Sequence, residues 1–363
     1  MKISTKCLLE NFKSINSIIS DFVYIDCTDE SNYGFYVSTD TQATKIPLNI
    51  SEISEDEKMI YVINKSEFMH LISYASEYIS LNSNYEYSSN EGQMKGKFEK
   101  NEGFAEELES RKILFDNENE YDDFMEITPS IMNSLTKGSI FVAPDSIKPS
   151  ERFLDIKNGK VFSYSNFKIY EDDIMVKEEG LLSLEIIKSI QSLGVGAIVK
   201  SNKNSYLISN AQRSIFEYFS TPNDVDFHPL FSDKFQKKLS ECKNFNHVKF
   251  DISELRDKLD YISYYANKNK NSMCFLKYID DSVFIYTDDN TFVKLSKCEF
   301  DKHEEFSDFS VTIDCSALQM VVAKLSKDCE TLNFYVSNKD ENKLILMIFG
   351  DSNETVIFSK LNY

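Results

Sequence analysis

Ile127-Thr-Pro-Ser-Ile-Met-Asn-Ser-Leu135 holds the helix start from which the rest of the chain can be read. Thr128 is a residue of the N-cap type, and Pro129 after it suits a first helical position, where no backbone N–H is needed. Ile131, Met132 and Leu135 then recur at helical spacing. A start of the same kind stands at Ser4-Thr5, followed by Leu8, Leu9, Phe12, Ile15 and Ile19. A third stands at Asp251, with Glu254 three residues on as in a capping box, followed by Ile252, Leu255, Leu259 and Ile262. Positions 4, 128 and 251 are 124 and 123 residues apart. A second kind of start lies at Asn64 with Glu67, at Ser183 and at Asp314, which follow the first kind by 60, 55 and 63 residues. Its apolar faces are Phe68, Leu71 and Ile72; Ile186, Ile187 and Ile190; and Leu318, Val321, Val322 and Leu325. The spacing predicts three tandem units of about 120 residues, each with two helices, at 1–126, 127–247 and 248–363.

Between the helices the sequence reads as strands. Runs rich in Val, Ile, Tyr and Phe span 23–26, 34–37, 59–63, 160–164, 197–199, 205–208, 275–278, 283–286 and 343–349. Asn158-Gly159 and Asp280-Asp281 fall between such runs, as antiparallel hairpins require. The fold class expected is therefore α+β. Residues 102–126 hold ten acids against Arg111 and Lys112 and read as an acidic connector with a strand-like centre at Ile113-Leu-Phe115.

Composition narrows the function. At 363 residues the chain exceeds one small module. The 59 acids against 40 bases leave a charge of -19, so a polyanion partner needs a local basic surface. Only four bases are arginine, which with abundant Asn and Ile suggests an AT-rich genome. The seven cysteines include no CxxC and read as reduced, mostly buried thiols. No phosphate-loop, HExxH or GxSxG pattern occurs, and no cofactor is expected. The acidic pairs at 122–123, 172–173, 280–281 and 288–289 read as solvated turn residues. Asp224, Asp226 and His228 form the sharpest metal candidate but sit in a loop-like setting, so no metal site is assigned. Glu10 interrupts any signal-peptide core, and Leu344–Phe349, the longest unbroken apolar run near the C-terminal end, is too short to cross a bilayer. A cytoplasmic protein with no membrane partner is expected.

Three two-helix α+β units in this length resemble the bacterial-type DNA sliding clamp, the DNA polymerase III beta subunit family. The likeness is carried by the order Ile127-Thr-Pro-Ser-Ile-Met, Phe141-Val-Ala-Pro-Asp, Glu151-Arg-Phe-Leu-Asp, Val161 to Tyr170 and Gly180-Leu-Leu-Ser. In that family the order is a helix, a loop facing DNA, a hairpin and a strand ending in a Thr-Asp-Gly-His-Arg-Leu type motif. Tyr164-Ser-Asn-Phe-Lys-Ile169 stands there, matching its basic and aliphatic positions and replacing Gly and His by Asn166 and Phe167. The family ending, of the type Val-Val-Met-Pro-Met-Arg-Leu, is replaced by Val356-Ile-Phe-Ser-Lys-Leu-Asn-Tyr363. This drift suggests a phage version.

The resemblance implies a non-enzymatic processivity factor: a head-to-tail homodimer closing six units into a ring around duplex DNA, with helices inside and sheets outside. Phosphate contacts would come from Lys6, Lys13, Lys137, Lys148, Arg152, Lys188, Arg256, Lys258, Lys324 and Lys327. Polymerase and clamp loader would dock short peptides in an apolar groove between units two and three. Its lining would be Leu154, Asn166, Phe167, Lys168, Ile169, Asp314, Ala317, Val356, Ile357, Phe358, Ser359 and Lys360. Dimer contacts would fall on Met94 to Phe98 and on Tyr264-Tyr265. Residues 227–246 have no place in the family pattern and read as an amphipathic linker helix. Two competing functions are an acidic scaffold that reuses the fold without holding DNA, and a hydrolase seeded by Asp224, Asp226 and His228.

Overall fold

The computed structural model describes residues 1–116, 120–165, 168–219, 237, 240–241, 245–268, 272–288, 290–301, 308–325, 329–336, 344–350 and 355–359. They form two compact units, one of residues 1–132 with 185–221 and the other of 133–184 with 222–363. The Asp224, Asp226 and His228 candidate and most of the 227–246 linker lie outside the described residues.

One element order, strand, helix, then a three-stranded meander, recurs six times. The first copy is β1 (Lys2–Ser4), α1 (Lys6–Glu10) with α2 (Phe12–Ser17), β2 (Phe22–Asp26), β3 (Gly34–Ser38) and β4 (Gln42–Pro47), after which comes the short β5 (Ile50–Ser51). The second is β6 (Ile60–Asn64), α3 (Lys65–Tyr74), β7 (Tyr78–Leu81), β8 (Glu86–Ser89) and β9 (Met94–Lys97); α4 (Ala105–Asp116) follows it. The third is β10 (Asp122–Glu126), α5 (Pro129–Gly138), β11 (Phe153–Lys157), β12 (Lys160–Ser165) and β13 (Lys168–Asp173). The fourth is β14 (Gly180–Ser183), α6 (Leu184–Leu193), β15 (Ile198–Ser201), β16 (Ser205–Ser209) and β17 (Ser214–Tyr218). The fifth is β18 (Asn246–Asp251), α7 (Ile252–Lys268), β19 (Met273–Ile279), β20 (Ser282–Tyr286) and β21 (Phe292–Leu295), with β22 (Cys298–Asp301) after it. The sixth is β23 (Phe309–Asp314), α8 (Cys315–Leu325), β24 (Thr331–Val336), β25 (Leu344–Phe349) and β26 (Thr355–Ser359).

All six helix starts fall where the sequence puts them, and four have caps in place. Asn64 accepts from the Glu67 amide at 3.2 Å, Thr128 from Ile131 at 3.2 Å, Asp251 from Glu254 at 2.8 Å and Asp314 from Ala317 at 2.8 Å. Each bond satisfies an amide that the helix itself cannot. The first helix departs from expectation. Thr5 donates to the Ser76 carbonyl instead of capping, and the helix breaks at Asn11, whose side-chain amide bonds back to the Cys7 carbonyl at 2.8 Å. Leu8 and Ile15 reach the core, while Leu9 and Ile19 are left exposed.

Sheet order follows two rules. Within each successive pair of copies the lead strands are exchanged: β1 joins the β7–β8–β9 meander while β6 joins β2–β3–β4, and likewise for β10 and β14 and for β18 and β23. Between pairs, the last strand of one meander joins the last strand of another, β4 with β17 and β13 with β26, both antiparallel. Those joins make an eight-stranded sheet in the first unit and a nine-stranded one in the second. Two hairpins turn where the sequence predicts: Asn158-Gly159 has φ of 51° and 71°, and Asp280-Asp281 has 48° and 59°. Paired positive φ suits the right-handed twist of the flanking strands.

The acidic connector is corrected. Its centre at Ile113-Leu-Phe115 is part of helix α4, because Ala105, Leu108, Lys112 and Phe115 fall on one helical stripe. Leu108 and Phe115 bury against Tyr24, Tyr36, Ala43, Val62, Leu207 and Phe216 on the eight-stranded sheet. Lys112 pairs with buried Asp26 at 2.6 Å. The opposite face of β2 and β3 packs on Leu8, Ile15, Phe68 and Leu71.

Candidate nucleic-acid interface and docking groove

Of the ten expected phosphate contacts, Lys6, Lys13, Lys148, Arg152, Lys188, Arg256 and Lys324 are exposed and Lys258 is half-buried. Lys137 departs from expectation: it is 6% exposed, on the core side of α5, so it does not belong to a solvated basic face. Lys327 lies outside the described residues. The basic faces are thin. Helix α7 carries Glu254, Asp257 and Asp260 beside Arg256, Lys258 and Lys268, so its charges cancel.

Lys148 and Arg152 are the best-positioned pair. Buried Glu151 accepts from Lys148 Nζ at 3.0 Å and from the Ser146 hydroxyl at 2.6 Å, while its own carbonyl takes the Ala143 amide at 2.7 Å. Arg152 Nε donates to the Ser146 carbonyl at 2.6 Å. The hydrogen bond to Glu151 raises the Lys148 pKa above its usual value, keeping the ammonium charged. One buried carboxylate thus fixes the loop that presents both cations, a role sequence reasoning missed. The three-residue spacing from Lys148 to Glu151 was the available signal.

The expected groove residues are only partly brought together. Leu154 stands opposite Ser163, Ser163 opposite Tyr170 and Tyr170 opposite Val356, so Leu154 and Val356 share one face of the nine-stranded sheet. That face is covered by the C-terminal end of α5, where Leu154 lies against Gly138. Tyr164, Ile169, Ile357 and Leu346 form the neighbouring row on the other face. There Phe162, Ile169, Leu346 and Ile357 are buried, flanked by half-buried Tyr164, Phe245, Tyr335 and Ile348. A one-residue step along a strand reverses its face, so the aliphatic residues expected to line one groove divide between two surfaces. Ala317 is buried and Asp314 caps α8. Lys168, Phe358 and Ser359 lie on the joined strands β13 and β26, and Asn166, Phe167 and Lys360 are outside the described residues.

Among the expected dimer contacts, Phe98 is buried in its own core against Phe68 and Tyr87 and is not a surface residue. Met94 is half-buried, Tyr264 is 67% exposed and Tyr265 packs on it. Two meanders end in strands with no outer neighbour among the described residues: β9 in the first unit and β21 in the second. Phe292, which opens β21, is 63% exposed. The sequence reading missed β21, because a four-residue edge strand has little pattern of its own. Among the described residues no cluster of His, Cys, Asp and Glu could hold a metal ion, and no helix is long and apolar enough to cross a membrane. Asp172, from one of the acidic pairs, accepts from Ser134 and Tyr170, and its neighbour Asp173 pairs with Lys160. The six described cysteines are free thiols, and Cys27, Cys274 and Cys315 are buried.

No family model matches the sequence, and no curated protein does. Solved structures match over the whole chain. A sliding clamp of Pseudomonas aeruginosa gives a TM-score of 0.77 at 9% identity, covering 100% of this chain and 99% of its own. A putative DNA polymerase III beta subunit of Eubacterium rectale gives 0.76 at 10%, with the same coverage. The Helicobacter pylori beta clamp bound to a DNA ligase peptide gives 0.72 at 12%, covering 100% of both chains. The chain therefore has the α+β fold of the DNA polymerase III beta subunit sliding clamps, carried by a sequence that keeps about a tenth of their residues.

Proposed function

We propose that this protein is a DNA sliding clamp built of three repeats, 1–126, 127–247 and 248–363, two copies of which close head to tail around duplex DNA. The observation that carries the reading is the second joining rule. Meander ends pair as β4 with β17 and β13 with β26, and the remaining two ends, β21 and β9, are the ones free at sheet edges. Pairing β21 of one copy with β9 of the next repeats the same join and removes both edges, which otherwise invite unspecific pairing.

In such a ring the helix side faces DNA. Lys148 and Arg152, with Lys6, Lys13, Lys188, Arg256, Lys258, Lys324 and Lys327, contact phosphates without reading sequence. Their small number suits a ring that holds DNA by topology, since tight phosphate binding would oppose sliding. Polymerase and clamp loader dock through short peptides beside the β13–β26 join, where half-buried Tyr164, Tyr335 and Ile348 border the buried Ile169 and Ile357. The peptide bound by the Helicobacter pylori clamp supports that role. The charge balance of α7 favours one competitor, an acidic scaffold that does not encircle DNA.

Sedimentation velocity and negative-stain imaging of the purified chain separate the two. A closed ring of two chains is expected. Its retention on nicked circular DNA should fall on Lys148→Glu with Arg152→Glu and vanish on linearisation. Solid monomers at micromolar concentration would refute the clamp reading and leave the scaffold.

A further inference from the structure

The first unit contains a cavity of about 470 Å³ on the helix side of the β4–β17 join, between α2 and α6. It is lined by hydroxyls, with Ser189 and Ser192 on α6 among them, and by four charged groups, the cations Lys188 and Arg213 and the carboxylates Glu185 and Glu217. Arg213 and Glu217 stand on the same face of the sheet around β17, as alternate residues must.

Arg213 is 2% exposed. Its terminal nitrogen donates to the Ser192 carbonyl at 3.0 Å and to the Ser192 hydroxyl at 2.7 Å, while Nε is buried with no partner. No carboxylate pairs with it among the described residues. Glu217, four residues on, is already engaged: it accepts from the Ser189 hydroxyl and from Gln42 Nε2. Burial lowers the Arg213 pKa and raises that of Glu217, the pattern of two charges each lacking a counter-ion. A buried guanidinium without an acid is costly, and proteins rarely keep one. Lys188, exposed beside the cavity, also has no acidic partner among the described residues. Guanidinium N–H groups facing a polar cavity match an oxyanion, which can take two parallel hydrogen bonds.

We propose that this cavity binds a small oxyanion, a carboxylate or a phosphate group, with Arg213 as its principal donor and Lys188 as a second cation. The site does not require ring closure; because Lys188 is also one of the proposed DNA phosphate contacts, the probes below are small anions added to the chain without DNA.

The test is isothermal titration of the full chain with inorganic phosphate and, separately, with acetate at constant ionic strength. One saturable site per chain is expected for at least one anion. The phosphate arm identifies a phosphoryl ligand and the acetate arm a carboxylate. Arg213→Gln should weaken binding about tenfold or more, the worth of a hydrogen bond to a charged group. Lys188→Ala, at an exposed position that folding tolerates, should weaken it about threefold. Absence of a saturable site for both anions would overturn the proposal, and so would affinity unchanged in both variants. Should Arg213→Gln fail to fold, the Lys188→Ala result decides.

Discussion

Glu254 offers the sharpest test of how the fifth element copy is held together. Its carboxylate accepts from the Ser296 amide at 3.0 and 3.1 Å, from the Ser296 hydroxyl at 2.5 Å and from the Lys297 amide at 2.7 Å. It thereby ties the turn between β21 and β22 to the first turn of α7. A capping box would have sent it back to Asp251 instead. Glu254→Ala removes the acceptor of two amides and one hydroxyl at a half-buried place, where water replaces part of the loss. Hydrogen bonds to a charged group are worth about 1.5–3 kcal/mol when shielded, so roughly 2 kcal/mol for the set is the expected local cost. That corresponds to about a thirtyfold loss of protection, read by amide hydrogen exchange at Ser296 and Lys297. Burial disfavours the Glu254 charge, but the bonds from Ser296 and Lys297 outweigh it and hold the pKa below the usual carboxylate range. A lowered pKa in the folded state stabilises above the unfolded value of about 4.3, and that contribution fades as pH falls through the folded value. The variant and the parent should therefore differ at pH 7 and converge in acid. Equal exchange at pH 7, or a difference that persists after protonation, would refute the reasoning.

Other expectations are read more simply. Asp314→Ala removes the cap of α8 and should lower stability by about 1 kcal/mol, seen as a lower urea midpoint. Leu108→Ala should cost about 2–5 kcal/mol, because Leu108 is fully buried beneath α4, whereas exposed Glu106→Ala should stay within about 0.5 kcal/mol. Burial raises the Glu217 pKa, so its stabilising protonated form is complete below about pH 4 and lost as pH rises through the folded value. Glu217→Gln should accordingly raise the thermal midpoint at pH 8, with no gain at pH 4. Phe292→Glu, at the exposed start of β21, should weaken dimerisation about tenfold or more in sedimentation experiments.

Local chemistry is legible in the order of residues. Asn64, Thr128, Asp251 and Asp314 announce helix starts because a side-chain acceptor next to an unpaired amide acts within three residues. Asn158-Gly159 and Asp280-Asp281 announce hairpins because they tolerate positive φ. The 3.6-residue period put Ile252, Leu255, Leu259 and Ile262 in the core, and all four are buried. Where two local signals conflicted, reading failed. Ile113-Leu-Phe115 has β propensity, but the longer stripe through Leu108 and Phe115 pairs with a waiting sheet face, and burial outweighs propensity.

The site was less legible for the same reason. Lysine spacing cannot tell Lys137, which is buried, from Lys188, which is exposed, until helix α5 has met β11 and β13. Leu154 and Ile169 both look like groove residues, yet the register of β11, β12 and β13 sends them to opposite faces. Arg213 gave no signal at all, since its isolation depends on what other strands and helices fail to bring near it. The sequence by itself determined the helix starts and the turns, each set by contacts within a few residues. Only the tertiary structure decided strand exchange, sheet edges and which charges lie unpaired, because those depend on partners far away in the chain.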